Sequence, residues 1–317
     1  MLSIFNKCLG NIGPTQYHGS RTNASQNNWF GIILFYLINL FFLMFREEVI
    51  KRLIAATLLL LLPIVFVGCS EFEYSPNQIF NKSSYQDINE INLRKLGDGQ
   101  HDDTVRFVLT GDTQRSHSAV SNFYKKINTM SGIDFVVVAG DITEFGNLKE
   151  MEWVAERLNK LNIPYVAVIG NHDLTSRGRE AFQRMYGKAN YSFVYGGVKF
   201  ICHDTNSREY QFDGQVPNIP WLKNQLRSQA DVSSYVAISH VPPTSSDFDE
   251  NLVDDYSATF GNATGFLTSF HAHNHVFEEF RFENFTTPYV TTNAIGSNEF
   301  LLVEIVNKKL SFEQISF

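Results

Sequence analysis

From residue 104 onward, apolar runs alternate with small polar clusters. Thr104–Thr110, Asp134–Ala139 and Pro164–Ile169 are rich in Val, Ile and Phe, the composition of strands covered on both faces. Between them, Val120, Phe123, Tyr124 and Ile127, then Leu148, Met151, Val154, Ala155, Leu158 and Leu161, recur at helical spacing. The order strand, helix, strand, helix, strand predicts a parallel sheet with helices packed on it. The second half changes character. Tyr191–Tyr195 and Val198–His203 flank Gly196-Gly197, a hairpin signal. A helix is expected over Trp221–Gln229 and a strand over Tyr235–Ser239. Further strands are expected at Phe266–Phe270, Val276–Phe282, Tyr289–Thr292, Phe300–Val306 and Leu310–Ile315, the last two joined as a hairpin at Asn307-Lys308. A parallel start and an antiparallel finish predict an α/β domain over 104–317, built from two facing mixed sheets flanked by helices. Thr175–Arg184 and Pro242–Thr259 carry no readable signature and are expected to be loops.

The front of the chain follows another pattern. Leu53–Val67 is apolar, with Arg46, Lys51 and Arg52 before it and Val67-Gly68-Cys69-Ser70 after it. This layout resembles a bacterial lipoprotein signal peptide, with Phe66 where Leu is usual. The resemblance makes Cys69 the lipidated first residue of the mature protein. It places the chain in the bacterial cell envelope, on the outer membrane or periplasmic face. A multiply acylated cysteine is a stable anchor. Read instead as an uncleaved span, the run falls short of the ~20 residues a membrane helix needs. Trp29–Phe45 is a second apolar run, and Met44 opens a stretch that is by itself a complete signal peptide. Residues 1–43 are therefore expected to be a mis-assigned N-terminal extension, 44–68 the signal peptide, and 69–103 a polar tether.

Charge narrows the partners. The segment 1–68 holds five of the 26 Lys and Arg and two of the 33 Asp and Glu, so the remainder carries a net charge of −10. That argues against nucleic acid as an electrostatic partner. Of the three cysteines, Cys8, Cys69 and Cys202, only Cys202 would persist as a thiol after processing, so no internal disulfide is expected.

Nearly every polar cluster follows a strand, and in α/β sheets that edge is where ligands bind. The ordered set is Asp112-x-Gln114, Gly140-Asp141-x-x-Glu144, Gly170-Asn171-His172-Asp173, His240 and Ala272-His273-x-His275. Carboxylate, amide and imidazole groups are the donors of a divalent-metal site. Each cluster alone is also what a turn or a helix cap needs; together, in this order, they resemble the calcineurin-like metallophosphoesterases. The resemblance implies a four-layer αββα sandwich. It also implies hydrolysis of a phosphate ester or diester by metal-bound hydroxide at a two-metal site. Two cations about 3.5–4 Å apart clamp a phosphoryl group in such sites. By the same resemblance Asp141 bridges, Asp112, Gln114 and His275 complete the first metal, and Asn171, His240 and His273 the second. His172 assists the leaving group, with Asp173 orienting its ring.

Two departures from the family's pattern matter. Gln114 stands where the family usually has His, which shifts preference toward Mn²⁺ or Mg²⁺ and away from Zn²⁺; Mn²⁺ is favoured, with Fe, Mg²⁺ and Zn²⁺ open. The family's Gly-His-x-His fits Ala272-His273-Asn274-His275 better than Phe270-His271-Ala272-His273, because Ala replaces a turn glycine more readily than Phe. His271 then stands as a neighbour that could replace His273 or His275. Arg115 and Asn206 are weaker candidates for phosphate contact, each expected in an exposed loop. The expected partner is a phosphorylated small molecule or lipid, with the membrane reached through the lipid anchor. The alternative is a non-catalytic metal- or ligand-binding lipoprotein on the same fold.

Overall fold

A computed structural model describes residues 29–68, 78–81, 84–99 and 104–317. The chain forms two compact units, Met1–Phe72 and Glu73–Phe317. In the first, one helix, α1 (Trp29–Gly68), runs through both apolar stretches. Its large side chains from Ile32 to Leu59, such as Phe35, Phe42 and Leu59, are exposed. Cys69 lies outside the described residues.

The second unit begins with a short helix, α2 (Ile88–Leu96). Part of the stretch expected as a polar tether over 69–103 is thus helical, while residues 69–77, 82–83 and 100–103 lie outside the described residues. Ile88, Asn89 and Asn92 are buried, and the Asn89 amide pairs with Ala167 in both directions, at 2.9 Å and 2.8 Å. Asn89 thereby satisfies backbone groups that an edge strand would otherwise leave open. Polar composition concealed this helix.

The elements that follow are β1 (Thr104–Thr110), α3 (His117–Ile127), β2 (Phe135–Ala139), α4 (Leu148–Leu158), β3 (Tyr165–Val168) and α5 (Gly178–Met185). Next come β4 (Tyr191–Tyr195), β5 (Val198–Cys202), α6 (Ile219–Gln225), β6 (Ser234–Ile238) and α7 (Val253–Gly261). The chain ends with β7 (Phe266–His271), β8 (Glu278–Phe280), β9 (Tyr289–Thr291), β10 (Glu299–Val306) and β11 (Lys309–Ser316). One sheet has the order β11-β10-β1-β2-β3, the other β4-β5-β6-β7-β9-β8. Both are mixed, as predicted. The expected antiparallel finish is corrected: β5, β6, β7 and β9 run parallel, and antiparallel pairing is confined to β4, β8 and the β10–β11 hairpin, which returns to β1. Two segments expected as loops contain helices α5 and α7. These lack a long apolar stripe and take their stability from packing.

Alternation along the strands builds the layers. Phe107, Phe135, Val137, Phe200, Val236, Phe270, Val290 and Val303 lie between the two sheets. Phe107 stacks on Phe135 at 5.2 Å and meets Phe200 and Phe270 edge-on at 5.4 Å and 5.9 Å. Such pairs contribute roughly 0.5–1.5 kcal/mol each beyond the area they bury. Val108, Val136 and Ala167, on the other face of the first sheet, pack on Val120, Phe123, Met151 and Phe182 of its helices. Ile201, Tyr235 and Ala237 do the same for the second sheet against Leu222, Tyr256 and Phe260. The order is helix, sheet, sheet, helix, and the parallel strands of both sheets end on one edge.

Candidate metal centre

The predicted residues occupy that edge. Asp112 follows β1, Asp141 follows β2, Asn171 and His172 follow β3, His240 follows β6, and His273 and His275 follow β7. Backbone bonds knit the loops together: Asp112 N–H donates to the Gly140 carbonyl at 3.1 Å, Gln114 N–H to that of Asp141 at 3.1 Å, and Ala272 N–H to that of His240 at 3.0 Å. Four candidate ligands adopt left-handed backbone, with φ of 52° at Asp112 and Asp141, 72° at His273 and 57° at His275. Non-glycine residues there store roughly 1–3 kcal/mol each and persist where the surroundings impose them.

Two glycines make the close approach. Gly140 has φ of 89°, and a Cβ on it would lie 2.6 Å from the His240 ring. A Cβ on Gly170 would lie 2.1 Å from the Asp141 nitrogen and 2.2 Å from its Oδ1. Both positions exclude any side chain.

Ligating atoms of Asp112, Asp141 and His240 lie within 4.8 Å of one another, and all three residues are buried. His240 Nδ1 is 2.7 Å from the Ala139 carbonyl. A carbonyl only accepts, so Nδ1 carries the proton. His240 Nε2 then faces Asn171 Oδ1 at 3.1 Å and Asp141 Oδ1 at 3.3 Å. Asn171 Oδ1 also lies 3.1 Å from His273 Nδ1. On the other side, Gln114 Nε2 is 3.3 Å from Asp141 Oδ2, Gln114 Oε1 is buried without a hydrogen-bond partner, and His275 Nε2 is 3.2 Å from Asp112 Oδ1. The Gln114 amide N–H donates to Asp141, and the carboxylate oxygens, amide oxygens and ring nitrogens gathered around it are a donor set that fits divalent cations.

The two histidines of this cluster shift in opposite directions. Burial opposes a charged His240, but the carboxylates of Asp141 and Asp112 outweigh it and raise its pKa. Burial likewise opposes the Asp141 carboxylate, and the charge and hydrogen bond of His240 more than offset it and lower its pKa. His273 is pushed down to about 4 by burial and by His240, so it stays neutral, the form that ligates.

Asp173 is not where the sequence expectation puts it. Its carboxylate is buried and accepts from the backbone N–H of Ile142 at 3.2 Å, Thr143 at 2.9 Å and Gly170 at 3.0 Å, and from the Thr143 hydroxyl at 2.9 Å. It braces the Asp141 loop against the Asn171 loop. The His172 ring is held instead by the Glu144 carbonyl, 2.9 Å from Nδ1. Asn206, expected to be exposed, is fully buried and bonded to Asp204 and Ile169. Arg115 is exposed and pairs with Glu144. His271 is buried beside Ser239, 3.0 Å from its hydroxyl, and stacks on Tyr289. Buried Asp247, 3.5 Å from His273 Nε2, was missed because it follows no strand and belongs to no motif.

Comparison with known proteins meets this geometry. Residues 105–277 match the family model of the calcineurin-like phosphoesterases. The chain belongs to that family. The family is one of phosphoesterases. A probable glycerophosphodiester phosphodiesterase of Arcobacter nitrofigilis is 26% identical over 133 residues, 40% of this chain and 49% of that protein. A probable cyclic nucleotide phosphodiesterase of Xenorhabdus bovienii is 31% identical over 49 residues, 16% of this chain and 20% of that protein. The chain spans half or less of each of these relatives. Two solved structures share the fold. One is a purple acid phosphatase from yellow lupin, with TM-score 0.55 and 14% identity, covering 69% of this chain and 52% of that one. The other is a dimetal phosphatase from Danio rerio, with TM-score 0.53 and 12% identity, covering 67% and 99%.

Proposed function

We propose that this calcineurin-like phosphoesterase hydrolyses a phosphodiester at a two-cation, Mn²⁺-preferring site and is held at the bacterial envelope by lipidation of Cys69. The observation that carries the catalytic reading is the convergence of Asp112, Asp141 and His240 within 4.8 Å from three separate loops. Asp112, Gln114, Asp141 and His275 would hold one cation, and Asp141, Asn171, His240 and His273 the other. When bound, the cations polarise the phosphoryl group and activate water. The chain's own residues do the rest. Asp141, pinned by Gly170 and by the His172 N–H at 3.0 Å, fixes the separation of the ligand sets. His172, its Nδ1 proton committed to the Glu144 carbonyl, has Nε2 free for the substrate. As imidazolium it donates a proton to the departing oxygen while the P–O bond breaks.

Both curated relatives are named as phosphodiesterases, which supports a diester over a monoester. A lipid headgroup fits an anchored enzyme. The purified chain with Mn²⁺ should hydrolyse bis(p-nitrophenyl) phosphate faster than p-nitrophenyl phosphate. Stoichiometric Mn²⁺ binding without hydrolysis of either would leave a binding protein on this fold. For the anchor, replacing Cys69 by Ala should release the chain from membranes, and equal membrane retention would remove the lipoprotein reading.

A further inference from the structure

Asp247 lies in the stretch between His240 and α7 and is 6% exposed. Its Oδ2 is 3.5 Å from His273 Nε2. Arg208 holds the carboxylate with both prongs, Nη1 at 3.0 Å from Oδ2 and Nη2 at 2.9 Å from Oδ1. The Arg208 N–H also donates to the Asp247 carbonyl at 3.1 Å. A two-pronged guanidinium fixes a carboxylate in one orientation, so this oxygen is in place independently of any cation. The other nitrogen of His273 is the one that faces Asn171 Oδ1, which His240 shares.

An imidazole that ligates through one nitrogen carries its proton on the other. A carboxylate facing that proton selects the tautomer, fixes the ring and raises its basicity. We propose that Asp247 is a positioning residue of the metal site: it holds the Nε2 proton of His273 and so presents Nδ1 as a lone pair to the second cation. Arg208 fixes Asp247 in turn. The inference rests on the two-cation reading above. It assigns a function to a stretch in which the sequence pattern offers no motif. The competing role is mechanical, with Asp247 only tying its loop to the turn at Ser207–Tyr210 through Arg208.

Mn²⁺ titration calorimetry on the whole chain, paired with melting of the chelator-stripped protein, separates the two. Wild type should take up two ions. Asp247→Ala should weaken one of them by about 10–100-fold, the range for loss of such a partner, and leave the other within about twofold. Asp247→Asn, which keeps the shape and an acceptor but loses the charge, should show about a tenfold loss at the same ion and decides the matter should the alanine variant fail to fold. Arg208→Ala, which leaves the carboxylate but frees it to turn, should weaken the same ion by a smaller factor than Asp247→Ala and leave the other within about twofold. Variants that bind both ions as wild type does, or that weaken both ions in parallel with the melting temperature, overturn the proposal. A wild-type chain that binds no Mn²⁺ overturns this inference and the metal-site reading together; two ions bound with indifferent variants overturns this inference alone.

Discussion

Replacing Asp173 by Ala tests whether this residue is a brace or a partner of His172. The carboxylate accepts four hydrogen bonds of 2.9–3.2 Å, three from backbone N–H groups of Ile142, Thr143 and Gly170, at a site with no solvent exposure. Alanine leaves those three donors buried without acceptors, at roughly 1–3 kcal/mol each. A water entering the new space would recover part of that, so a loss of about 4 kcal/mol is expected, a large share of the 5–15 kcal/mol typical of a domain. Asp173→Asn keeps one oxygen and turns an NH₂ toward the remaining donors, so about half the loss is expected. The assay is urea unfolding of the chelator-stripped protein at about pH 8. Burial and the neighbouring Asp141 charge push Asp173 up to about 6, so it is ionised there. The midpoint should fall with an unchanged slope, alanine further than asparagine. If Asp173 only oriented His172, both variants would unfold at the wild-type midpoint and lose turnover alone. That result would refute the brace.

The remaining expectations concern the same edge and one site behind it. Gly170→Ala should fold poorly or lose metal, because its Cβ would lie 2.1 Å from the Asp141 nitrogen; wild-type metal content by mass spectrometry would contradict the close approach. Asp141→Asn should lose metal and phosphodiesterase activity together, whereas His172→Ala should lose at least about a hundredfold in turnover and keep its metals; two variants turning over like wild type would mean the roles are misassigned. Buried His203 is pushed down to about 4 by desolvation, from 6.5. The unfolded chain therefore binds a proton that the folded chain refuses, and stability should fall as pH drops from about 6.5 toward 4, by about 3 kcal/mol. His203→Gln should flatten that slope in urea midpoints measured across the range, and an unchanged slope would assign the loss to other groups.

What was legible in the sequence, and what was not, follows from how far apart the relevant contacts lie. The buried strands of the first sheet carry apolar residues on both faces, so β1, β2 and β3 stood out without any knowledge of partners. Strand direction did not. Whether β7 runs with or against β6 is decided by where the chain re-enters the sheet, and that depends on α7, whose nine residues show no long apolar stripe. The edge helix α2 was hidden for a related reason, since its central contact is an asparagine amide acting as backbone.

The site divides along the same line. Asp112, Asp141, Asn171, His240, His273 and His275 were legible because each follows a strand whose end is fixed by apolar pattern, so counting residues past that end locates the side chain. Asp173 also follows such a strand, yet its carboxylate bonds to Ile142, Thr143 and Gly170 and not to the imidazole it was expected to orient. One residue after His172 the 3-10 turn carries its side chain under the loop, toward the N–H groups of Ile142 and Thr143, and no spacing rule distinguishes that from a carboxylate aimed at an imidazole. Asp247 was beyond reach altogether, since its distance from His273 is set by the closure of a long loop upon Arg208. The donors that would hold cations are thus written locally, at strand ends, whereas the groups that aim those donors are supplied by long-range packing. The left-handed backbone at Asp112, Asp141, His273 and His275 is the cost that packing imposes to bring the two together, and it places the strain where the chain's chemistry is expected to occur.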